Sequence, residues 1–116
     1  MKYLVMLYDA PNIRENISPE LIEQMQALIG ELEASGELVS VEALADPAQT
    51  QTVRFDQQVP AVTDGPYAEV KEQMGGFILL DVESTQRAVD IASRWPGSVV
   101  SAIEVRPLMN PGADPQ

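Results

Sequence analysis

Asp64-Gly65-Pro66-Tyr67-Ala68-Glu69-Val70-Lys71-Glu72-Gln73-Met74-Gly75-Gly76 runs straight into Phe77-Ile78-Leu79-Leu80-Asp81-Val82, a charged, glycine-containing loop feeding an apolar strand. Asp-Gly-Pro is turn chemistry: the aspartate side chain bonds nearby backbone N–H groups, glycine accepts unusual φ, and proline closes off a helix. Phe77 to Val82 is apolar at odd and even positions alike, so both faces of the strand need cover. Residues 2–8, Lys2-Tyr3-Leu4-Val5-Met6-Leu7-Tyr8, behave the same way before Asp9-Ala10-Pro11-Asn12 stops them. Two such strands belong in the middle of a sheet.

Outward from them the pattern changes. Ser18-Pro19-Glu20 announces a helix, with serine as N-cap, proline at the first helical position and an acid at the positive end of the dipole; Gly36 closes it. Leu21, Ile22, Met25, Leu28, Ile29 and Leu32 form one stripe, which reads as a core face or, around Met25, a pocket wall. Residues 37–45 alternate Val39, Val41, Ala43 and Ala45 against Leu38, Ser40, Glu42 and Leu44, as an edge strand does. Residues 99–107 alternate likewise, Val99, Ser101, Ile103 and Val105 against Val100, Ala102, Glu104 and Arg106. Ser84 caps a second helix whose Ala88, Val89, Ile91, Ala92 and Trp95 share a face, and Pro96-Gly97 ends it. Residues 52–55 and 59–63 read as a polar hairpin, held at an edge or in solvent by Pro60.

The order strand, helix, strand, hairpin, strand, helix, strand is that of an α+β fold, the ferredoxin-like split βαβ with an inserted hairpin. Residues 1–109 are expected to form the single domain and 110–116 a disordered tail. Two helices cover one face of a four-stranded sheet and leave the other bare. The expected remedy is a homodimer packed sheet to sheet, a dimeric α/β barrel; the alternative is that residues 47–66 fold back over the face.

Composition narrows the chemistry. The 116 residues contain no cysteine and no histidine, so thiolate ligands, thiol nucleophiles and imidazole bases are all excluded, and no cofactor or metal site is expected. Eighteen acidic residues against seven basic give a net charge of −11, with the cations scattered, which argues against direct nucleic-acid binding. An acidic surface confers solubility and suits a basic partner. The opening apolar run is too short for a membrane span or a signal core, and a cytoplasmic location is expected.

The segment from Asp64 to Phe77 resembles the signature of the YCII-related family, in its DGPF-motif branch, with Tyr67 in place of the phenylalanine. Met1-Lys2-Tyr3-Leu4-Val5 and Ile103-Glu104-Val105-Arg106-Pro107 are similar to that branch too. The resemblance implies a ferredoxin-like fold paired as a dimeric α/β barrel. It also implies an association with sigma-factor-type transcription regulators. The wider family has been proposed to act through a His and Asp pair, a role this chain cannot fill.

Asp64, Tyr67, Glu69, Lys71 and Glu72 are the candidate site, since they cluster on a loop beside the sheet face. A small-molecule-binding dimer, with scope for acid–base catalysis without histidine, would use Asp64 as base or anchor, Lys71 to orient an anion, and Tyr67, Glu69 and Glu72 as ligand contacts. Paired carboxylates could alternatively hold a hard cation such as Mg²⁺. Turn formation and solvent pairing account for the same residues without any site. Asp9 and Arg106, expected at neighbouring strand ends, could supply a carboxylate and an anion-binding guanidinium, or form a plain surface pair. Gly75-Gly76 reads as a bend entering the strand. The alternative function is a non-catalytic accessory protein whose acidic surface meets a transcription-factor partner.

Overall fold

The computed structural model describes residues 1–67 and 72–109, so the expected tail at 110–116 lies outside the described residues. In chain order the elements are β1 (Lys2–Asp9), α1 (Ile13–Asn16), α2 (Pro19–Ser35), β2 (Leu38–Ala43), a 3-10 turn (Pro47–Gln49), β3 (Gln51–Asp56), β4 (Val59–Asp64), β5 (Met74–Asp81), α3 (Thr85–Ala92) and β6 (Val100–Pro107). Four strands form an antiparallel sheet in the order β2-β5-β1-β6, the arrangement of the ferredoxin-like fold. The two doubly apolar strands, β1 and β5, are the central ones.

Both long helices begin on the chemistry read from the sequence and α2 also ends on it, whereas α3 stops at Ala92, short of Pro96-Gly97. Ser18 Oγ accepts from the Leu21 N–H, and Gly36, at φ 79°, donates to the carbonyls of Leu32 and Glu33. Ser84 Oγ accepts from the Arg87 N–H to start α3. Leu28 and Leu32 from α2, with Ala88, Ile91 and Ala92 from α3, are buried against Tyr3, Val5, Leu7, Ile78 and Leu80. These strand residues alternate, so one face of the sheet carries the core. Tyr3, fully buried, satisfies its hydroxyl with Thr85 Oγ1 at 2.7 Å.

Three irregularities interrupt the register of the sheet. In β2 the register slips between Leu38 and Ser40, which puts Leu38 and Val41 on the core and leaves Val39 46% exposed. In β1 the slip lies between Tyr8 and Asp9, and Val100 joins Ile103 and Val105 on the core. Gly75 and Gly76 lie inside β5, where the pairing with β1 passes over Gly75 between Leu7 and Tyr8. A Cβ on Gly76 would meet the Glu42 backbone carbonyl at 2.7 Å, so the glycine sets how closely β2 approaches. Ile22 and Val89, expected on buried stripes, are exposed at the margins of their helices.

The opposite face carries Leu4 and Met6 from β1 and Phe77 and Leu79 from β5, paired Leu4 with Leu79 and Met6 with Phe77, all partly exposed. No helix or strand among the described residues packs over them. β3 and β4 form a separate two-stranded sheet, joined through Gln57 and Gln58 at φ 50° and 71°. Positive φ at both central residues is the mirror-image turn that suits strand twist. These strands pack chiefly on each other, and the molecule is flat, 45 × 44 × 18 Å. The alternative in which residues 47–66 fold back over the sheet is therefore not adopted.

Gly76→Ala is expected to lower stability by about 1–3 kcal/mol in chemical denaturation, because its Cβ meets backbone that cannot swing aside. Arg87 donates from Nε and Nη2 to the two Glu37 carboxylate oxygens at 2.8 Å, and with help from Ser35 this lowers the Glu37 pKa from 4.5 to about 2. Since the folded value lies below the unfolded one, the stabilisation is complete above about pH 4.5 and disappears as pH falls towards 2. Arg87→Gln should flatten the melting-temperature profile across that window and leave its shape above pH 5 unchanged.

Candidate functional site

At one end of the sheet the backbone is tied by hydrogen bonds beyond the regular ladder. The Asp9 N–H donates to the Gln73 carbonyl at 3.0 Å, the Ala10 N–H to the Val99 carbonyl at 3.0 Å, and the Leu44 N–H to the Gly75 carbonyl at 2.8 Å. Pro11 and Asn12 turn the chain, Asn12 with φ 60°, and buried Ile13 anchors the short α1. This brings Arg14 back over the strand ends.

Arg14 Nη2 lies 3.5 Å from Asp9 Oδ2 and donates to the carbonyls of Leu44 at 2.9 Å and Ala45 at 3.2 Å. One guanidinium thus joins the end of β1 to the end of β2. The Asp9 carboxylate lies directly against Gly75, where a Cβ would overlap its oxygens. Glycine at 75 is therefore what admits the carboxylate to this position.

Two clefts open beside this pair. One, of about 430 Å³, includes Asp46, Glu72 and Gln73 in its lining. The other, of about 420 Å³, lies on the helix side and is mainly apolar, with Leu7, Ile17, Met25, Val41 and Trp95 among its walls. Asp9, Ile13 and Arg14 line both. The Trp95 indole N–H is buried without a hydrogen-bond partner among the described residues. A mostly apolar cavity with a carboxylate and a guanidinium at its rim suits a small molecule with one polar end. On the other side of β1, the Tyr8 hydroxyl donates to Glu104 Oε1 at 2.7 Å; that bond, burial and the charges of Glu104 and Glu72 raise the Tyr8 pKa.

The residues expected from sequence do not all gather here. Asp9 and Glu72 do. Asp64 lies at the exposed end of β4 and accepts from Gln51 Nε2 at 3.3 Å, outside the lining of both clefts. Tyr67 sits with its ring centroid 5.1 Å from the Arg54 guanidinium. Glu69 and Lys71 lie outside the described residues. The expected meeting of Asp9 with Arg106 is corrected by the register: Arg106 pairs with Leu4 and Asp9 with Val100, five residues along β1 and so roughly 17 Å apart. The guanidinium beside Asp9 is that of Arg14. Met25 does line the apolar cleft, as the pocket reading of the helix stripe allowed. Among the described residues no group of three or more acidic side chains converges as a metal site would require.

A family model described as YCII-related domain matches residues 1–110. An uncharacterised protein of Rhizobium meliloti (strain 1021) is 32% identical over 114 residues, covering 93% of this chain and 92% of that one. Among solved structures, 5-chloro-2-hydroxyhydroquinone dehydrochlorinase (TftG) from Burkholderia phenoliruptrix AC1100, in complex with 2,5-dihydroxybenzoquinone, superposes with a TM-score of 0.55. It is 15% identical and covers 94% of each chain, a likeness of fold.

If Gly75 exists to admit the Asp9 carboxylate, the two positions are coupled. Gly75→Ala should destabilise the wild-type protein by about 1–3 kcal/mol and the Asp9→Ala background by less than half as much, read from a double-mutant cycle in urea.

Proposed function

The chain belongs to the YCII-related family, and from that premise we propose that it is a small-molecule-binding protein of the DGPF type, working as a homodimer, whose ligand lies across the Asp9–Arg14 pair. The observation that carries this is the placement of that pair where two clefts meet, an apolar one on the helix side and one edged by Asp46 and Glu72. A ligand with an apolar body on the Met25–Trp95 side would present its polar end to Arg14 and Asp9. Asp9 is the carboxylate placed to accept a proton or a hydroxyl hydrogen bond, and a catalytic version of the site would use it as base, since no histidine is present. Glu72, with Lys71 beside it in sequence, belongs to the polar end of this reading; Asp64 and Tyr67 belong to the turn.

Further support comes from the fold likeness to a dehydrochlorinase solved with a small oxygenated ring. The homodimer reading is supported by the row Leu4, Met6, Phe77 and Leu79 on the helix-free face. The net charge of −11 favours a second reading, a non-catalytic accessory protein that binds a basic partner of the sigma-factor type. No helix among the described residues is long and apolar enough to cross a membrane.

The test is a thermal-shift and calorimetric screen of small hydroxylated aromatics, 2,5-dihydroxybenzoquinone included, against the wild type, Asp9→Asn and Arg14→Gln. Stabilisation of the wild type by at least one compound is expected, with affinity at least tenfold weaker in both variants. A hit whose affinity ignores both substitutions would move the site elsewhere. No stabilisation by any compound would leave the accessory reading, whose partner should release with rising salt.

A further inference from the structure

The β3–β4 hairpin is two-faced. Cross-strand pairing puts Val53 opposite Val62 and Phe55 opposite Pro60, and alternation sends these four side chains to one side. Val53, Phe55 and Val62 are 51%, 72% and 61% exposed. Thr52, Arg54, Asp56, Ala61 and Thr63 occupy the other side with Val59. The chain's own return segment meets that second side: Thr52 Oγ1 donates to the Gly65 carbonyl at 2.7 Å, and Arg54 lies over the Tyr67 ring. The polar face is therefore the one turned to its own chain, and the apolar face is bare.

We propose that this bare face, Val53, Phe55, Pro60 and Val62, is an arm that packs on a second copy of the chain. The inference rests on the homodimer reading above and adds a contact that the sheet face does not supply. A two-stranded ribbon is marginally stable by itself in water, so a ribbon that is a fixed part of the fold needs a partner that is always present. A second copy meets that condition, whereas an occasional partner would leave the ribbon unsupported between encounters.

Charge points the same way. Two chains of net charge −11 repel, so their contact must come from apolar, uncharged surface. The open sheet face is bordered by Glu42, Glu104 and Arg106, while the four arm residues include no ionisable group. Size agrees too. A stable dimer buries about 800 Å² per partner, and four partly covered side chains on the sheet fall short of that. The arm adds an apolar patch on the order of 300 Å², at the scale where exposed patches mark contact sites.

Sedimentation equilibrium from 0.1 to 100 µM compares the wild type with Phe55→Ser/Val62→Ser and, as a control on the opposite face, Val59→Ser. Hydrogen exchange of the wild type over the same range reads the hairpin amides without any substitution. Expected are a wild-type dimer, a dissociation constant raised at least tenfold in the double variant and unchanged in the control, and hairpin protection that grows with concentration. A monomeric wild type would overturn the homodimer reading and the arm together. A dimer whose dissociation constant ignores the double variant, with hairpin exchange independent of concentration, would overturn the arm alone. Equal weakening by Val59→Ser would overturn the choice of face.

Discussion

The chain has two sizeable helices and a sheet with two faces, and both helices lie on the same one. Everything else in the structure follows from that imbalance. On the covered side Tyr3, Val5, Leu7, Ile78 and Leu80 are closed off by Leu28, Leu32, Ala88 and Ile91. Each buried Val, Leu or Ile among them contributes about 1.5–3 kcal/mol when taken fully out of water. On the other side Leu4, Met6, Phe77 and Leu79 have the same chemistry and no such cover among the described residues. Because side chains alternate along a strand, β1 and β5 cannot satisfy one face without presenting the other.

The site grows out of how the sheet ends. Asp9 stands at the end of β1, beside the register slip that leaves Ser101 of β6 unpaired, and Gly75 leaves room for its carboxylate in the neighbouring strand. Pro11 and Asn12 then turn the chain so that Arg14 returns over the gap and donates to the Leu44 and Ala45 carbonyls. The same guanidinium that closes the end of β2 also stands at the rim of both clefts. One short segment thus both closes the sheet end and lines the two clefts.

The fold was legible because it is written in periodicities: two runs apolar on both faces became the central strands, and two alternating runs became the edges. The helix ends were legible because Ser18, Gly36 and Ser84 are caps with a local mechanism. What sequence reading missed is non-local. The slip at Leu38 that exposes Val39 depends on how β2 pairs with β5, and no periodicity within β2 announces it. Arg14 looked like an isolated surface cation, since its partners Asp9, Leu44 and Ala45 come from two other elements. Turn chemistry and site chemistry use the same amino acids, so the sequence could not separate the two readings of Asp64, which lies at the end of β4 and accepts from Gln51. Asp9 lies beside Arg14 and not Arg106, because the antiparallel register that separates it from Arg106 is invisible along the chain.

The central claim is that the helix-free face is covered in solution by a second copy, and the methionines report on it directly. Met6 lies in the middle of that face, while Met109 is 89% exposed near the end of the described chain. Methyl-labelled protein exposed to a soluble gadolinium chelate at 100 µM gives both signals in one spectrum. The account predicts that the Met6 methyl is relaxed at least several-fold more slowly than the Met109 methyl, and that the protection fades on dilution. Equal bleaching of the two, or Met6 protection that does not change with concentration, would contradict it.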